Sequence, residues 1–151
     1  MGLYLDDLAV GRRFETRSVT VTQDEMIAFA KQFDPQYYHV DPVAAQQSSF
    51  KGLIASGFHT LSLSMRLFFD LNLWPEAIIA SPGMESIKWL KPMRPGDTIA
   101  AAAETVDVRV SSSKPDRGIV TMDHLCWNQR QEMILTARCA HLLRRREDPA
   151  T

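Results

Sequence analysis

The feature that most constrains the fold of this chain is a helix-length stretch that is apolar on nearly every side. Residues 57–71 carry leucine, methionine or phenylalanine at positions 61, 63, 65, 67, 68 and 69. A helix with this pattern is normally buried in the middle of a domain. Ser56 is a suitable N-cap for it. The sequence therefore predicts a central helix from Gly57 to about Leu71, with the other elements packed around it.

The second half of the chain has the pattern of an antiparallel sheet. Segments with alternating apolar residues or many β-branched residues occupy 84–90, 98–110, 119–127 and 133–143. Turn-forming residues separate these segments, and Pro75 and Pro82 should bracket a loop before the first of them. With a further strand at 13–21, they predict an α+β fold in which an antiparallel sheet wraps around the long central helix.

The first half of the chain contributes shorter helices. Residues 22–25, Thr-Gln-Asp-Glu, form a capping box that should start a helix. Pro35 should end this helix at or near Asp34, because the residue before a proline avoids the helical region. Asp41 followed by Pro42 is a favourable helix start, so a short helix is expected at 42–47.

Length and composition indicate one domain. The 151 residues are 45% hydrophobic and 23% charged, with a net charge of −1, which suits a single core. We assign residues 1–146 to this domain and 147–151 to a tail, with charged, frayed sequence beginning at Arg144. The balanced charge argues against a nucleic-acid binder, and the apolar runs are too short for a membrane span. Two cysteines, Cys126 and Cys139, and no signal-peptide pattern predict a cytoplasmic protein.

Residues 33–42, FDPQYYHVDP, most strongly suggest chemistry. Asp34 has an ordinary interpretation as a turn former before proline. Its expected place at a helix C-terminus, among aromatic side chains, would instead raise its pKa, which suits a group that handles protons. His39 is the nearest titratable partner, although an isolated histidine is more often structural. Together the two side chains could hold one water molecule.

The Ser56-Gly57 pair at the start of the central helix also has two interpretations. An ordinary N-cap explains the serine. A helix that begins at a glycine also exposes backbone N–H groups that can hold a carbonyl oxygen as negative charge develops on it. His59 could line the same pocket or belong to the core. Metal binding at His39 and Asp41 lacks a third nearby ligand, so we predict no metal there.

Three segments of the chain resemble the MaoC-like hydratase/dehydratase family, which includes the (R)-specific enoyl-CoA hydratases. They are FA…D…HxDP…A…FxGLIASG between residues 29 and 57, KPMRPGDT at 91–98, and DLAVGRRF at 7–14. The resemblance implies a hot-dog fold and a dimer in which two sheets join edge to edge. The strongly apolar strands also favour a homodimer or a dimer of dimers.

The resemblance assigns roles to particular residues. Asp34 and His39 match the family's catalytic pair, and Gly57 matches the glycine whose N–H holds the thioester carbonyl. The implied reaction adds water to a trans-2-enoyl-CoA, or removes it from a 3-hydroxyacyl-CoA, with CoA as carrier and no other cofactor. This chain departs from the common Gly-Asp-x-Asn-Pro-aliphatic-His segment, and Ser56 replaces a histidine. The expected substrate pocket comprises Phe33, Gln36, Tyr37, Tyr38 and His59.

A nucleotide-tailed substrate needs cations for its phosphates. The candidates are Lys88, Lys91, Arg94, Arg109, Lys114 and Arg117, which would otherwise be solvated surface charges. Two other functions stay open: a hot-dog acyl-CoA thioesterase, in which a carboxylate activates water against the carbonyl carbon, and a non-catalytic acyl-CoA-binding subunit. The Asp34 and His39 pair favours the hydratase, because a thioesterase does not need an aligned histidine there.

Overall fold

The computed structural model describes residues 1–147, which form one antiparallel sheet with helices packed against it. The strands are β1 (Arg13–Thr20), β2 (Ile78–Trp89), β3 (Thr98–Val110), β4 (Arg117–Trp127) and β5 (Met133–Arg144). The helices are α1 (Gln23–Phe33), α2 (Tyr37–Val40), α3 (Pro42–Ala45) and α4 (Gly57–Phe69), and a short 3-10 turn covers Leu5–Asp7. The spatial order of the strands is β1-β3-β4-β5-β2, and each neighbouring pair is antiparallel.

Helix α4 is the predicted central helix. Ser56 caps it, with its Oγ accepting from the N–H of Phe58 at 3.3 Å. The helix contacts β3, where Ala101, Ala102 and Ala103 are all buried. Ala101 and Ala103 share the face of β3 that belongs to the core, and their small side chains let the helix approach the sheet closely. The result is the predicted α+β hot-dog arrangement. Within residues 1–147, no helix combines the length and apolarity needed to cross a membrane.

The core divides into two clusters along α4. One includes Leu67 of α4 together with Ala55, Ile99 and Leu135, and the other includes Phe68 and Met122. The side chain of Leu61, in the middle of α4, packs against both clusters. Strands β4 and β5 alternate between buried and half-buried residues along nearly their whole length. This period of two places one face of each strand against the helix.

The predicted helix starts are confirmed. In α1, Thr22 Oγ1 accepts from the Glu25 N–H at 3.2 Å and Glu25 Oε2 accepts from the Thr22 N–H at 2.9 Å. In α3, Asp41 Oδ1 accepts from the N–H groups of the second and third helical residues. Helix α1 ends at Phe33, as Pro35 requires. Helix α3 ends at Ala45, two residues earlier than expected.

The prediction of a loop up to Pro82 is wrong, because β2 already begins at Ile78. A proline is tolerated in an edge strand, where a missing N–H costs no ladder bond. The pairing of β2 with β5 is irregular between Ala80 and Gly83, on either side of the proline. Helix α4 also ends at Phe69 rather than at Leu71.

The charged C-terminal end is more ordered than expected. Arg144 belongs to β5, and Arg145 and Arg146 form ion pairs with Asp6 and Asp7. These pairs attach the end of the sheet to the N-terminal 3-10 turn. The predicted tail at 147–151 lies, beyond residue 147, outside the described residues.

The two edges of the sheet differ in charge. Strand β1 carries Arg13, Glu15 and Arg17, and charged side chains of this kind discourage pairing with another sheet. Strand β2 has 12 residues, most of them exposed, and only Glu85 and Lys88 are charged. Among the described residues, β2 is therefore the edge better suited to pair with another chain.

Two buried histidines face each other on the inner side of the sheet. His124 Nε2 and His141 Nε2 lie 3.3 Å apart. Burial lowers the pKa of His141 to about 4. Burial, together with the neighbouring His141, lowers the pKa of His124 to about 4 against a smaller opposing effect of Asp123. Both rings are therefore neutral at pH 7.

This pair predicts loss of stability in mild acid. Between pH 6.5 and 4 the unfolded chain binds protons that the folded protein does not, so the free energy of unfolding falls as the pH falls. Lowering a histidine pKa from 6.5 to about 4 corresponds to about 3 kcal/mol in the free energy of unfolding for each histidine. Urea unfolding of the metal-free protein between pH 7.5 and 4.5 should show the decline, and His124→Gln should reduce its slope. A stability that is constant across this range contradicts the prediction.

Candidate active site

Asp34 and His39 meet where the chain turns between α1 and α2. Asp34 is the C-cap of α1, and its N–H donates to the Ala30 carbonyl at 2.8 Å. The next residues, Pro35 and Gln36, reverse the chain into the one-turn helix α2, which carries His39. The result is a distance of 3.4 Å between Asp34 Oδ2 and His39 Nε2. The sequence prediction that these two side chains come together is confirmed.

The orientation of the His39 ring is fixed. Its Nδ1 lies 2.8 Å from the carbonyl oxygen of Ile54, and a carbonyl can only accept, so Nδ1 carries a hydrogen. In the neutral ring, Nε2 then presents a lone pair toward Asp34. The residue is 5% exposed, which keeps this arrangement in a largely water-free setting.

Both oxygens of Asp34 are held in place. Gln36 Nε2 donates to Oδ1 at 2.9 Å, and Ser56 Oγ donates to Oδ2 at 2.7 Å. Burial alone would raise the pKa of Asp34, but the hydrogen bonds from Gln36 and Ser56 outweigh it, with a smaller lowering by His39 when its ring is protonated, and leave the pKa below its usual value. The raised pKa expected from the sequence is therefore wrong, because the sequence did not show these two donors. The carboxyl group is ionised at pH 7.

Gly57 supplies a backbone donor beside this pair. It is the first residue of α4, and its N–H donates to no group within residues 1–147. A Cβ built on Gly57 would lie 2.7 Å from two ring atoms of Trp89, so no larger residue fits without displacement. The Trp89 Nε1–H donates to the Gly57 carbonyl at 2.8 Å and holds the first turn of α4.

A cleft of about 290 Å³ brings these groups to the surface. Its polar groups are Asp34, His39 and Gly57, and its walls are Tyr38, Phe50, Ile54, Ala55, Phe58 and Trp89. A larger, mostly apolar cavity of about 350 Å³ lies near the C-terminal end of α4. We place the candidate active site in the smaller cleft, because it combines apolar walls with the carboxylate, the imidazole and the free N–H.

The MaoC-like domain family matches residues 7–127 of this chain. The chain belongs to the MaoC-like family. A solved structure of a MaoC-like dehydratase from Rhodospirillum rubrum is similar, with 39% sequence identity and a TM-score of 0.88 over 97% of this chain and 100% of that chain. Protein YdeM of Bacillus subtilis is 33% identical over 93% of this chain and 99% of its own length. The 3-hydroxyacyl-thioester dehydratase Z of Mycobacterium tuberculosis is 34% identical over 60% of this chain and 61% of its own.

Of the remaining predicted pocket residues, some line the cleft and others lie outside it. Tyr38 lines the cleft, and its hydroxyl donates to Gln36 Oε1 at 2.7 Å, so that Gln36 links Tyr38 to Asp34. Phe33 and Tyr37 are 60% and 51% exposed and lie outside the cleft lining.

His59 also lies outside the cleft. Its ring stacks on Phe29 of α1, with centroids 4.7 Å apart, because this position of α4 faces α1. Burial lowers the pKa of His59 despite the opposing charge of Glu25. The prediction that it lines the pocket is therefore not supported, and the core alternative agrees better with its contacts.

The sequence reasoning missed three aromatic residues of the cleft: Phe50, Phe58 and Trp89. Phe58 and Trp89 contact each other edge to face, with centroids 6.2 Å apart. Trp89 is the last residue of β2, 32 positions from Gly57, so only the pairing of β2 with β5 brings it to the helix. The available signal was its position two residues before the turn-rich KPMRPGD segment.

The six candidate cations separate into two groups. Arg94 contacts a residue of the cleft wall, because its Nη2 donates to the Phe50 carbonyl at 2.8 Å. Lys91 forms an ion pair with Glu132, and Lys88 lies on β2. In contrast, Arg109, Lys114 and Arg117 lie at the opposite end of β3 and β4, where Arg117 pairs with Asp116. Arg109 is eight residues along β3 from Ala101, which the pairing places level with Trp89, a separation of about 26 Å.

Proposed function

We propose that this chain is an acyl-thioester hydratase or dehydratase that interconverts a trans-2-enoyl-CoA and a 3-hydroxyacyl-CoA. The observation that carries the proposal is the 3.4 Å approach of Asp34 Oδ2 to His39 Nε2 beside the free N–H of Gly57. Membership of the MaoC-like family supports the reaction class.

The pair is suited to holding one water molecule. An ionised carboxylate and a neutral imidazole nitrogen are both acceptors, so each can take a hydrogen bond from the same water. The water oxygen then has its lone pairs free to attack an electrophile in the cleft. Asp34 is positioned to accept the proton that the water loses, and His39 orients the water. The low pKa of Asp34 keeps it in the ionised form that this role requires.

The Gly57 N–H is suited to stabilising the negative charge that forms on the substrate. When water adds to the β-carbon of an enoyl thioester, negative charge moves to the thioester oxygen. A backbone donor at the N-terminus of a helix stabilises that charge. The oxygen of the water ends on the β-carbon and a proton ends on the α-carbon, so the atoms balance and no cofactor other than the CoA carrier is needed. Dehydration is the same path reversed.

Of the six candidate cations, we assign the CoA phosphates to Arg94, because it is hydrogen-bonded to Phe50 of the cleft wall. We expect Arg94→Ala to raise the KM for an enoyl-CoA about tenfold, the effect of one lost charge-assisted hydrogen bond, with little change in kcat. The same variant should act normally on the matching enoyl-pantetheine, which lacks these phosphates. Arg109→Ala is the matched control at the far end of β3. A larger KM effect for Arg109→Ala would move the phosphate site to that end.

The test of the function is a panel of trans-2-enoyl-CoAs that differ in length, branching and polarity. Loss of the conjugated thioester absorbance without release of free thiol, and formation of one 3-hydroxyacyl enantiomer, would support the proposal. Release of free CoA without loss of the double bond would identify a thioesterase. Tight binding of acyl-CoAs without turnover of any of them would identify a binding subunit. Either result would reject the proposal.

We also propose a homodimer, or a dimer of dimers, joined through β2. The support is the long and sparsely charged edge of this strand and the exposed apolar residues at its two ends, Ile78 and Trp89. A stable monomer at micromolar concentration in sedimentation equilibrium would contradict it. The two buried free cysteines, Cys126 and Cys139, are consistent with the proposed cytoplasmic location, which cell fractionation can test.

A further inference from the structure

A second group of chemically active side chains lies away from the cleft, on the inner face of β4 and β5. Cys139 and His141 are two residues apart on β5 and therefore share a face. His124 lies beside them on β4, where it pairs with Ala137. One ligand atom from each of His124, Cys139 and His141 lies within 4.8 Å of the other two. All three side chains are buried, and the proposed reaction uses none of them.

The spacing of the two imidazoles suits a shared metal ion. Their Nε2 atoms are 3.3 Å apart. Two nitrogens bound to one tetrahedral zinc ion at its usual bond length are about 3.4 Å apart. A thiolate sulfur on the same ion needs about 3.6 Å to each nitrogen, so Cys139 would have to shift by at most roughly 1 Å. Its present contact, a weak one to the Ala140 carbonyl at 3.7 Å, offers little resistance.

A neighbouring hydroxyl orients one of the ligands. Ser81 Oγ lies 2.8 Å from His141 Nδ1. Outer partners of this kind fix the ring of a metal-binding histidine so that its other nitrogen faces the ion. Here the other nitrogen is the Nε2 that faces His124. The rings of Phe68 and Trp74 pack against His141 and complete an apolar surround.

The cluster also has an access route. Ser81 and Trp74 line the cavity of about 350 Å³ near the C-terminal end of α4. The Ser81 hydroxyl thus connects the cavity directly to His141. An ion entering from this cavity would reach the cluster without passing through the Asp34 and His39 cleft, which lies at the N-terminal end of α4.

We propose that His124, Cys139 and His141 form a binding site for a soft d¹⁰ metal ion, zinc(II) or copper(I). Imidazole and thiolate together suit both ions. Binding requires both Nε2 lone pairs to face the ion and the thiol to lose its proton, so one proton is released for each ion bound. Zinc(II) leaves one net positive charge with the thiolate, whereas copper(I) leaves none, and burial therefore favours copper(I). The ion would clamp β4 to β5 beneath the end of α4.

The experiment titrates the purified, chelator-treated full chain with each ion. Cobalt(II) serves as the spectroscopic probe for zinc(II), because a thiolate ligand gives it an intense near-ultraviolet charge-transfer band. Competition with a chromophoric chelator gives the zinc(II) and copper(I) affinities. We expect one ion per chain, a submicromolar Kd for at least one of the two ions, and a rise in Tm on binding. Binding of only one ion identifies which of the two the site takes.

Matched variants locate the ion. Cys139→Ala should abolish the charge-transfer band and raise the Kd at least 100-fold. Cys126→Ala removes the other buried cysteine, which shares the inner face of β4 with His124, and should bind as the wild type does. His39→Ala should also bind normally, which excludes the active-site cleft. Circular dichroism and the Tm of each metal-free variant show whether it is folded.

Three results would overturn the proposal. They are the absence of submicromolar binding of both ions by the wild-type chain, unchanged binding by a folded Cys139→Ala variant, and loss of binding in His39→Ala. If Cys139→Ala does not fold, His124→Asn and Cys139→Ser provide the same comparison. Because none of these readouts is the hydratase reaction, the proposal stands or fails independently of the proposed function.

Discussion

Asp34→Asn is expected to lower kcat by about 10²–10⁴-fold, the usual effect of losing a positioned acid or base. The amide keeps the shape of the carboxylate and still presents an oxygen to the Ser56 hydroxyl, which donates to Oδ2 at 2.7 Å. It cannot accept the proton of the water. The fold should therefore survive while the reaction is lost. Activity per folded molecule and Tm, measured on the same samples, separate these two effects.

His39→Ala should reduce kcat within the same range, because the water would lose its second acceptor. The double variant with Asp34→Asn should be little worse than the poorer single variant, since groups that act as a unit are not additive. Asp41→Ala is the matched control, an aspartate of the same segment that caps α3 outside the cleft lining. It should lower the stability by about 1 kcal/mol and leave kcat unchanged. A fully active but destabilised Asp34→Asn protein would refute the mechanism.

Substitution of Gly57 should damage both binding and turnover. We expect Gly57→Val to lower kcat/KM by about 10²–10³-fold, comparable to the loss of one oxyanion donor. The new side chain would collide with the Trp89 ring, which lies 2.7 Å from the Cβ position, and would crowd the place of the thioester carbonyl. Gly57→Val should raise KM and lower kcat, whereas Asp34→Asn should act mainly by lowering kcat.

A double-variant cycle separates these two causes. Trp89→Ala removes the collision but leaves any crowding of the carbonyl. If the double variant of Gly57→Val with Trp89→Ala regains stability but stays less active than Trp89→Ala alone, the glycine is required for the substrate. If the double variant regains both, the glycine is needed only to accommodate the tryptophan, and the proposed oxyanion role of Gly57 fails.

Much of the fold followed from local signals in the sequence. The capping box at Thr22, the Asp41-Pro42 helix start and the apolar surface of α4 each depend on residues within a few positions of one another. The start of β2 did not follow, because Pro82 is a strong loop signal unless the strand lies at a sheet edge. Whether a strand lies at an edge depends on the strand order of the whole sheet. For β2, that order is determined by its long-range pairing with β5.

The same distinction applies to the site. Asp34, His39 and Ser56 lie within 23 residues of one another, and their segment resembles a known pattern. Trp89 joins the cleft only through the register of β2, and the metal-site candidate needs the register of β4 with β5. The pKa of Asp34 was mispredicted for a related reason. The helix dipole and the aromatic neighbours can be inferred from the sequence. The hydrogen bonds from Gln36 and Ser56 to Asp34 can be recognised only in the folded structure.

The bond between Ser56 and Asp34 has a consequence for the timing of the reaction. It holds the carboxylate beside the N-terminus of α4, and in the proposed reaction the positive pole of this helix also stabilises the thioester oxygen as it becomes negative. While Asp34 is ionised, the two negative charges compete for that pole. When Asp34 takes the proton of the water, the competition ends and the pole is free to stabilise the enolate. Proton transfer to Asp34 and formation of the carbon–oxygen bond should therefore occur in one step, and a carbon-13 isotope effect at the β-carbon that becomes smaller in deuterium oxide would show that they do not.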